Sequence, residues 1–260
     1  MDVRLDGRKA LITGASQGLG LAMARKFAES GADVAMVARR TDVLEAAADE
    51  VREATGRTIW TYSCDVGSAD EVAAMYRAME AGFGSIDILV NNAGSSVSGK
   101  FEDITDEMWQ SDLDLKLFGA IRLARLALPG MKERGWGRII NVLNIGARAP
   151  KAAGAPTQVS RAAGLALTKV LAGDGAPHGV LCNALLIGAI VTDQIRRRRK
   201  HQAPDLSLDD YIAETGKNIP LGRMGTAEEF ANVACFLASD AASYVTGTAL
   251  NIDGGMSPVI

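Results

Sequence analysis

An α/β domain built on a doubly wound, seven-stranded parallel sheet with helices on both faces is what the sequence predicts, on three observations. Short apolar runs alternate with longer helix-period segments from one end to the other. Several of those runs, IDILV, GRIINVL and VLCNALLIG, are nearly continuous in apolar residues, as a strand covered on both faces requires. A glycine-rich turn, TGASQGLG, joins the first run directly to a helical segment. At 260 residues, 48% of them hydrophobic, the chain can bury one substantial core. No internal repeat, low-complexity tract or linker divides it, so 1–260 reads as one domain.

In chain order, the expected strands are Lys9–Thr13, Asp33–Ala38, Thr58–Ser63, Ile86–Asn91, Arg138–Leu143, Val180–Leu186 and Ala249–Ile252. Between the fourth and fifth, Trp109, Leu113, Leu117, Ala120, Ala124 and Leu128 recur three or four residues apart, which predicts one long helix with a single apolar stripe. One stretch breaks the alternation: 189–219 is polar and charged and contains RRRRK at Arg196–Lys200. A long insertion at the carboxyl end of a parallel strand lies over the ligand crevice, so this segment reads as a substrate lid, the alternative being a solvated surface helix.

Composition excludes several classes. With 28 basic and 31 acidic residues the formal charge is −3, which gives no global case for nucleic acid or an anionic membrane. Cys64, Cys182 and Cys235 are widely spaced and form no CxxC pair, which argues for a reducing compartment and against a disulfide or metal site. The opening MDVRLDGRKALITG reaches a strand without an apolar leader, and no run approaches the ~20 apolar residues of a membrane helix, so a cytoplasmic location is expected.

In the turn after the first strand, Gly14, Gly18 and Gly20 permit a tight bend and let backbone amides approach a phosphate at the following helix N-terminus. Together with Ser16, Gln17 and Leu19 they form the expected dinucleotide cradle of a Rossmann-type domain. The TGxxxGxG spacing at Thr13–Gly20, Asp65-Val66 after the third strand, NNAG at Asn91–Gly94, and the C-terminal PLGRMGTAEEFANVACFLASDAASYVTGTALNIDGG closely resemble the short-chain dehydrogenase/reductase family along essentially the whole chain. The resemblance implies that Asp65 and Val66 contact an adenine, that Asn91, Ala93, Gly94 and Gly188 line the cofactor cleft, and that Thr192 touches the nicotinamide carboxamide. Ala38 stands where the family's NAD-preferring members carry Asp, and Arg39 follows it. A guanidinium there accommodates a 2′-phosphate, so NADP(H) is expected ahead of NAD(H).

The same resemblance implies an Asn–Ser–Tyr–Lys catalytic tetrad, and here the sequence departs. The corresponding positions are Lys116, Asn144, Thr157 and Arg161, and no Tyr lies between Tyr76 and Tyr211 to restore the motif. A threonine hydroxyl is far less acidic than a phenol, and Arg161 can clamp a ribose or an anion but not shuttle a proton. Asn144 can hydrogen-bond a carbonyl, while Lys116 desolvated beside Arg161 could titrate low enough for acid/base work; His201 in the lid is a further candidate. Three functions follow: an oxidoreductase with a rebuilt proton path, a non-redox lyase or hydratase on the same scaffold, and a non-catalytic subunit paired with an active relative. The expected substrate is a small molecule, anionic or CoA-linked, met by the arginines of the lid. The resemblance implies a homotetramer that pairs the long helix and the one starting near Thr157.

Overall fold

The computed structural model describes residues 3–260; Met1 and Asp2, the start of the expected domain, lie outside the described residues. The strands are β1 (Lys9–Thr13), β2 (Asp33–Ala38), β3 (Ile59–Ser63), β4 (Ile88–Asn91), β5 (Ser98–Gly99), β6 (Gly137–Asn144), β7 (Ala155–Pro156), β8 (Val180–Ile187) and β9 (Ala249–Ile252). The seven expected strands all form, with ends displaced by at most two residues. They make one parallel sheet in the order β3-β2-β1-β4-β6-β8-β9. The two-residue β5 and β7 pair antiparallel outside it, a bridge too short to leave a periodic trace in sequence.

The helices are α1 (Gly18–Glu29), α2 (Thr41–Thr55), α3 (Ala69–Gly82), α4 (Asp106–Leu113), α5 (Gly119–Glu133), α6 (Thr157–Gly175), α7 (Asp193–Gln202), α8 (Leu208–Gly216) and α9 (Ala227–Ala238). Strand alternation divides the core between the two helical layers. Ala10, Ile12, Val34, Met36, Ile88 and Val90 pack with Phe27 of α1, Val51 of α2 and Phe230 of α9. Their neighbours Leu11, Ala35, Val37 and Leu89 pack on the other side with Met75 and Met79 of α3 and Leu123 and Met131 of α5. Strand order reverses between β1 and β4, and in an open parallel sheet the carboxyl ends of the strands at such a switch frame the ligand crevice.

The expected long helix is interrupted. A π-helical turn, Asp114–Phe118, separates α4 from α5 and inserts one extra residue into the helical count. The inward line is therefore Asp112, Lys116, Gly119, Leu123 and Ala127, and of the expected stripe only Ala120 and Ala124 are buried. Trp109, Leu113, Leu117 and Leu128 remain half-buried on its flank. The inward face thus carries two ionisable residues where the sequence pattern led one to expect hydrocarbon. The segment 189–219 follows the carboxyl end of β8 and forms the helices α7 and α8, whose Ile195, Tyr211 and Ile212 join Ile219, Met224 and Met256 in a small apolar cluster.

Candidate functional site

A cleft of about 520 Å³ opens at the carboxyl ends of β1, β2 and β4. Gly14 (φ +66°) and Gly18 (φ +56°) hold left-handed conformations in the turn that floors it. A Cβ on Gly20 would lie 2.2 Å from the Gly14 carbonyl oxygen, so α1 can start this close to the turn only with glycine there. The N-cap residue Gln17 makes no side-chain cap and the first turn of α1 has no acid, which leaves a positive helix end facing the cleft. Arg39 and Arg40 at the end of β2 line the wall, and Arg40 Nη2 donates to Gln17 Oε1 at 2.9 Å. A diphosphate with an added phosphate on one ribose fits this chemistry: backbone amides at the turn and two guanidiniums at the rim.

Of the expected cleft residues, Gly14, Ser16, Gln17, Gly18, Leu19, Gly20, Arg39, Asp65, Val66, Ala93, Gly94, Arg161 and Thr192 line it. Asn91 and Gly188 do not. Asn91 is turned into the sheet, where its Nδ2 donates to Asn141 Oδ1 at 2.9 Å. Its neighbour Asn92 takes the wall and ties the glycine turn to β4 by donating to Thr13 O at 2.8 Å. Gly188 lines a second cavity, in close backbone contact with Asp253.

That second cavity, about 390 Å³, adjoins the first; Ser95, Arg161, Ile187, Thr192 and Gln194 belong to both walls. Asn144 and Thr157 face it, and Asn144 Oδ1 is out of solvent and without a protein partner. Arg161 reaches between the cavities: Nη1 donates to the Val142 carbonyl, Nη2 takes the room left by Gly94, and Nε is buried without a partner. Lys116 lines neither cavity. Its ammonium lies behind Thr157, in a buried ion pair with Asp112 in which both side chains are only 1% exposed.

Asp112 organises this cluster. Its carboxylate accepts from Lys116, from Ser160 Oγ at 2.6 Å and from Thr157 Oγ1 at 3.2 Å. Thr157 Oγ1 in turn accepts from Lys116 Nζ at 2.9 Å and from the Val97 amide at 3.0 Å. A hydroxyl has two lone pairs and one proton, so these contacts fill its acceptor capacity and leave Thr157 a donor, to Asp112 or to a molecule in the cavity. Burial pushes the Lys116 ammonium down to about 8, reinforced by Arg161 and opposed by Asp112. Burial also brings Arg161 down to about 10.

Several residues of the two cavities and of the cluster behind them were not among the expected ones. Asp112 precedes Lys116 by four residues, a spacing that pairs charges on one helix face, yet exposed pairs share the same signature. Ser160, Arg40 and Gln158 carried no sequence signal. Of the five cations in the run Arg196–Lys200, Arg197 lines the first cavity and Arg198 the second. Arg196 pairs with Asp193 and Arg199 donates to the Pro204 carbonyl, so the run is not a continuous phosphate track. His201 is exposed and lines neither cavity.

With the geometry in place, comparison with known proteins adds the family. The family model described as Enoyl-(Acyl carrier protein) reductase matches residues 14–257. Acetoacetyl-CoA reductase of Shinella zoogloeoides is 33% identical over 248 residues, covering 95% of this chain and 98% of that protein. The crystal structure of L-sorbose reductase from Gluconobacter frateurii, complexed with NADPH and L-sorbose, superposes with a TM-score of 0.96 at 35% identity and full coverage of both chains. An NADPH-bound short chain oxidoreductase from Pseudomonas aeruginosa PAO1, described as containing an atypical catalytic center, gives 0.91 at 36% identity over 99% of each chain. Matched from the glycine turn to the last strand, this chain belongs to the short-chain dehydrogenase/reductase family.

Proposed function

We propose that the protein is an NADP(H)-dependent oxidoreductase that interconverts a small carbonyl compound and its alcohol, with the tyrosine and lysine of the usual tetrad replaced by a relay from Lys116 through Thr157. The observation that carries this reading is the 2.9 Å contact between Lys116 Nζ and Thr157 Oγ1 behind the wall of a cavity that adjoins the dinucleotide cleft. Arg39 and Arg40 receive the 2′-phosphate, the α1 N-terminus the diphosphate, and Arg161 the nicotinamide ribose.

The cofactor supplies hydride chemistry when bound. The protein supplies the proton. In the reductive direction, Asn144 and Thr157 hydrogen-bond the substrate carbonyl oxygen; Thr157 delivers its hydroxyl proton as negative charge develops there and regains one from the Lys116 ammonium. Threonine is too weak an acid to act alone, and the neighbouring ammonium, near 8 rather than the ordinary 10.5, is a proton source matched to neutral solution. Asp112 keeps the pair in register. The test is NADPH oxidation with a panel of hydroxyketones and oxo acids: wild type turns over, Thr157→Val loses about 100-fold or more in kcat, and NADPH affinity is unchanged. Unaltered turnover in Thr157→Val would remove the relay. We also propose a homotetramer: Leu126 on α5 and Val159 and Val170 on α6 are 39%, 50% and 59% exposed, apolar side chains that a partner would cover.

A further inference from the structure

The second cavity has a one-sided chemistry. Its wall carries three cationic side chains, Lys151, Arg161 and Arg198, and among the described residues no carboxylate, in a chain whose formal charge is −3. Behind the wall, Lys116 and Asp112 form a buried pair that cancels in charge, so the three wall cations leave the charge next to the cavity positive. Arg161 is desolvated there, which is costly for an unpaired cation, and an anion entering the cavity relieves it, with the exposed Lys151 and Arg198 at its mouth adding to the attraction.

Gln158 sharpens this. Gly146 and Gly154 leave its side chain a seat: a Cβ on Gly154 would lie 2.2 Å from Gln158 Oε1, and one on Gly146 would lie 2.8 Å from Gln158 Cδ. The Lys151 backbone amide donates to Gln158 Oε1 at 2.6 Å, which settles which end of the carboxamide is which. The Nε2 donor then has no acceptor among the described residues and belongs to a group that lines the cavity. The rest of the polar wall offers the hydroxyl groups of Ser95, Ser96, Ser98, Thr157 and Thr192 and the carboxamides of Asn144 and Gln194. At about 390 Å³ the cavity suits a compact ligand, and only Arg198 of the lid run reaches it, so it offers no track of cations for a nucleotide-bearing thioester.

We infer that the second cavity takes a small hydroxylated carboxylate, a sugar-acid-like hydroxy or oxo acid, with its carboxylate received by Gln158 Nε2, Lys151 and Arg198 and its hydroxyls by the serines. This rests on the oxidoreductase reading for the reaction, but not for the binding. Gln158 is the specificity-determining residue: the isosteric Gln158→Glu keeps the acceptor for the Lys151 amide and turns the donor end into an anion.

Calorimetry on the full chain loaded with NADP+ tests it, with gluconate, the neutral polyol sorbitol and acetoacetyl-CoA as probes. Gluconate is expected to bind at least about tenfold more tightly than sorbitol, with a gap that narrows as salt is raised. Gln158→Glu erases that gap, as Arg198→Gln reduces it, while NADP+ affinity and melting temperature stay as in the wild type. Sorbitol or acetoacetyl-CoA binding as tightly as gluconate, or an undiminished gluconate affinity in Gln158→Glu, overturns the assignment. Turnover separates the two readings: gluconate that binds as expected but whose 5-oxo form draws no NADPH oxidation upholds the carboxylate site and counts against the redox reading. Robust reduction of neutral ketoses with no gluconate binding does the reverse.

Discussion

In the dinucleotide cleft the decisive contacts are made by backbone; behind Thr157 they are made by side chains. Gly14, Gly18 and Gly20 are required by a bend and by a 2.2 Å approach that any Cβ would block. The cluster of Asp112, Lys116, Thr157 and Ser160 is held by hydrogen bonds between functional groups that other residue types could replace. Backbone geometry tolerates few alternatives. A hydrogen-bonded cluster tolerates many, provided that charge and donor counts balance. The proposed relay through Lys116 and Thr157 therefore rests on the half of the site that substitution can most readily rebuild.

The largest effect is expected on the side-chain half. Asp112→Ala leaves Lys116 and, behind it, Arg161 without their carboxylate, which should cost about 3–5 kcal/mol and lower Tm by on the order of 10 °C. The double variant Asp112→Leu, Lys116→Met removes both charges. It should recover much of that stability in a thermal melt while remaining inactive with NADPH and any carbonyl substrate. A single variant with wild-type melting would show that the pair is not holding the site.

The backbone half breaks differently. Gly20→Val forces its side chain into the Gly14 carbonyl, and NADPH affinity in a fluorescence titration should fall by roughly 100-fold, the equivalent of about 3 kcal/mol. Wild-type affinity would mean that the turn can relax and that the glycine requirement is not steric. A smaller effect is expected at the rim: Arg39→Ala should weaken NADPH by about tenfold and leave NADH unchanged, since one charge-assisted contact to the 2′-phosphate is lost. Equal loss for both cofactors would assign Arg39 to the loop alone.

The same contrast explains what sequence could reveal. Strand positions were legible because continuous apolar runs and a glycine turn leave a strong local trace, and β1, β2 and β9 fall where the runs do. The glycine turn pointed to the cleft floor and the family resemblance to the rest of its wall, apart from Asn91, which turns into the sheet while its neighbour Asn92 lines the cleft, and Gly188, which lines the second cavity. The cluster behind Thr157 was legible only in part. Lys116, Thr157 and Arg161 stood out as departures, but the π turn that brings Lys116 inward shifts the helical phase by one residue, which a strict 3.6-residue reading cannot register. Asp112 was hidden because a carboxylate beside an apolar stripe reads as a solvated flank, and its buried partners Thr157 and Ser160 are brought to it only by the fold. Gln158 was hidden because its orientation depends on the glycines Gly146 and Gly154, brought close by the fold.

The relay is tested most directly by the pH dependence of kcat for NADPH-dependent reduction. With Lys116 near 8, its ammonium is present below that pH and is lost as pH rises through it. The account predicts a reductive kcat that is level near neutrality and falls about tenfold per pH unit above roughly 8, an oxidative kcat that rises over the same interval, and a residual rate in Lys116→Met in which this break is gone. A wild-type profile that stays flat from pH 7 to 10 with chemistry rate-limiting, or the same break persisting in Lys116→Met, would contradict it.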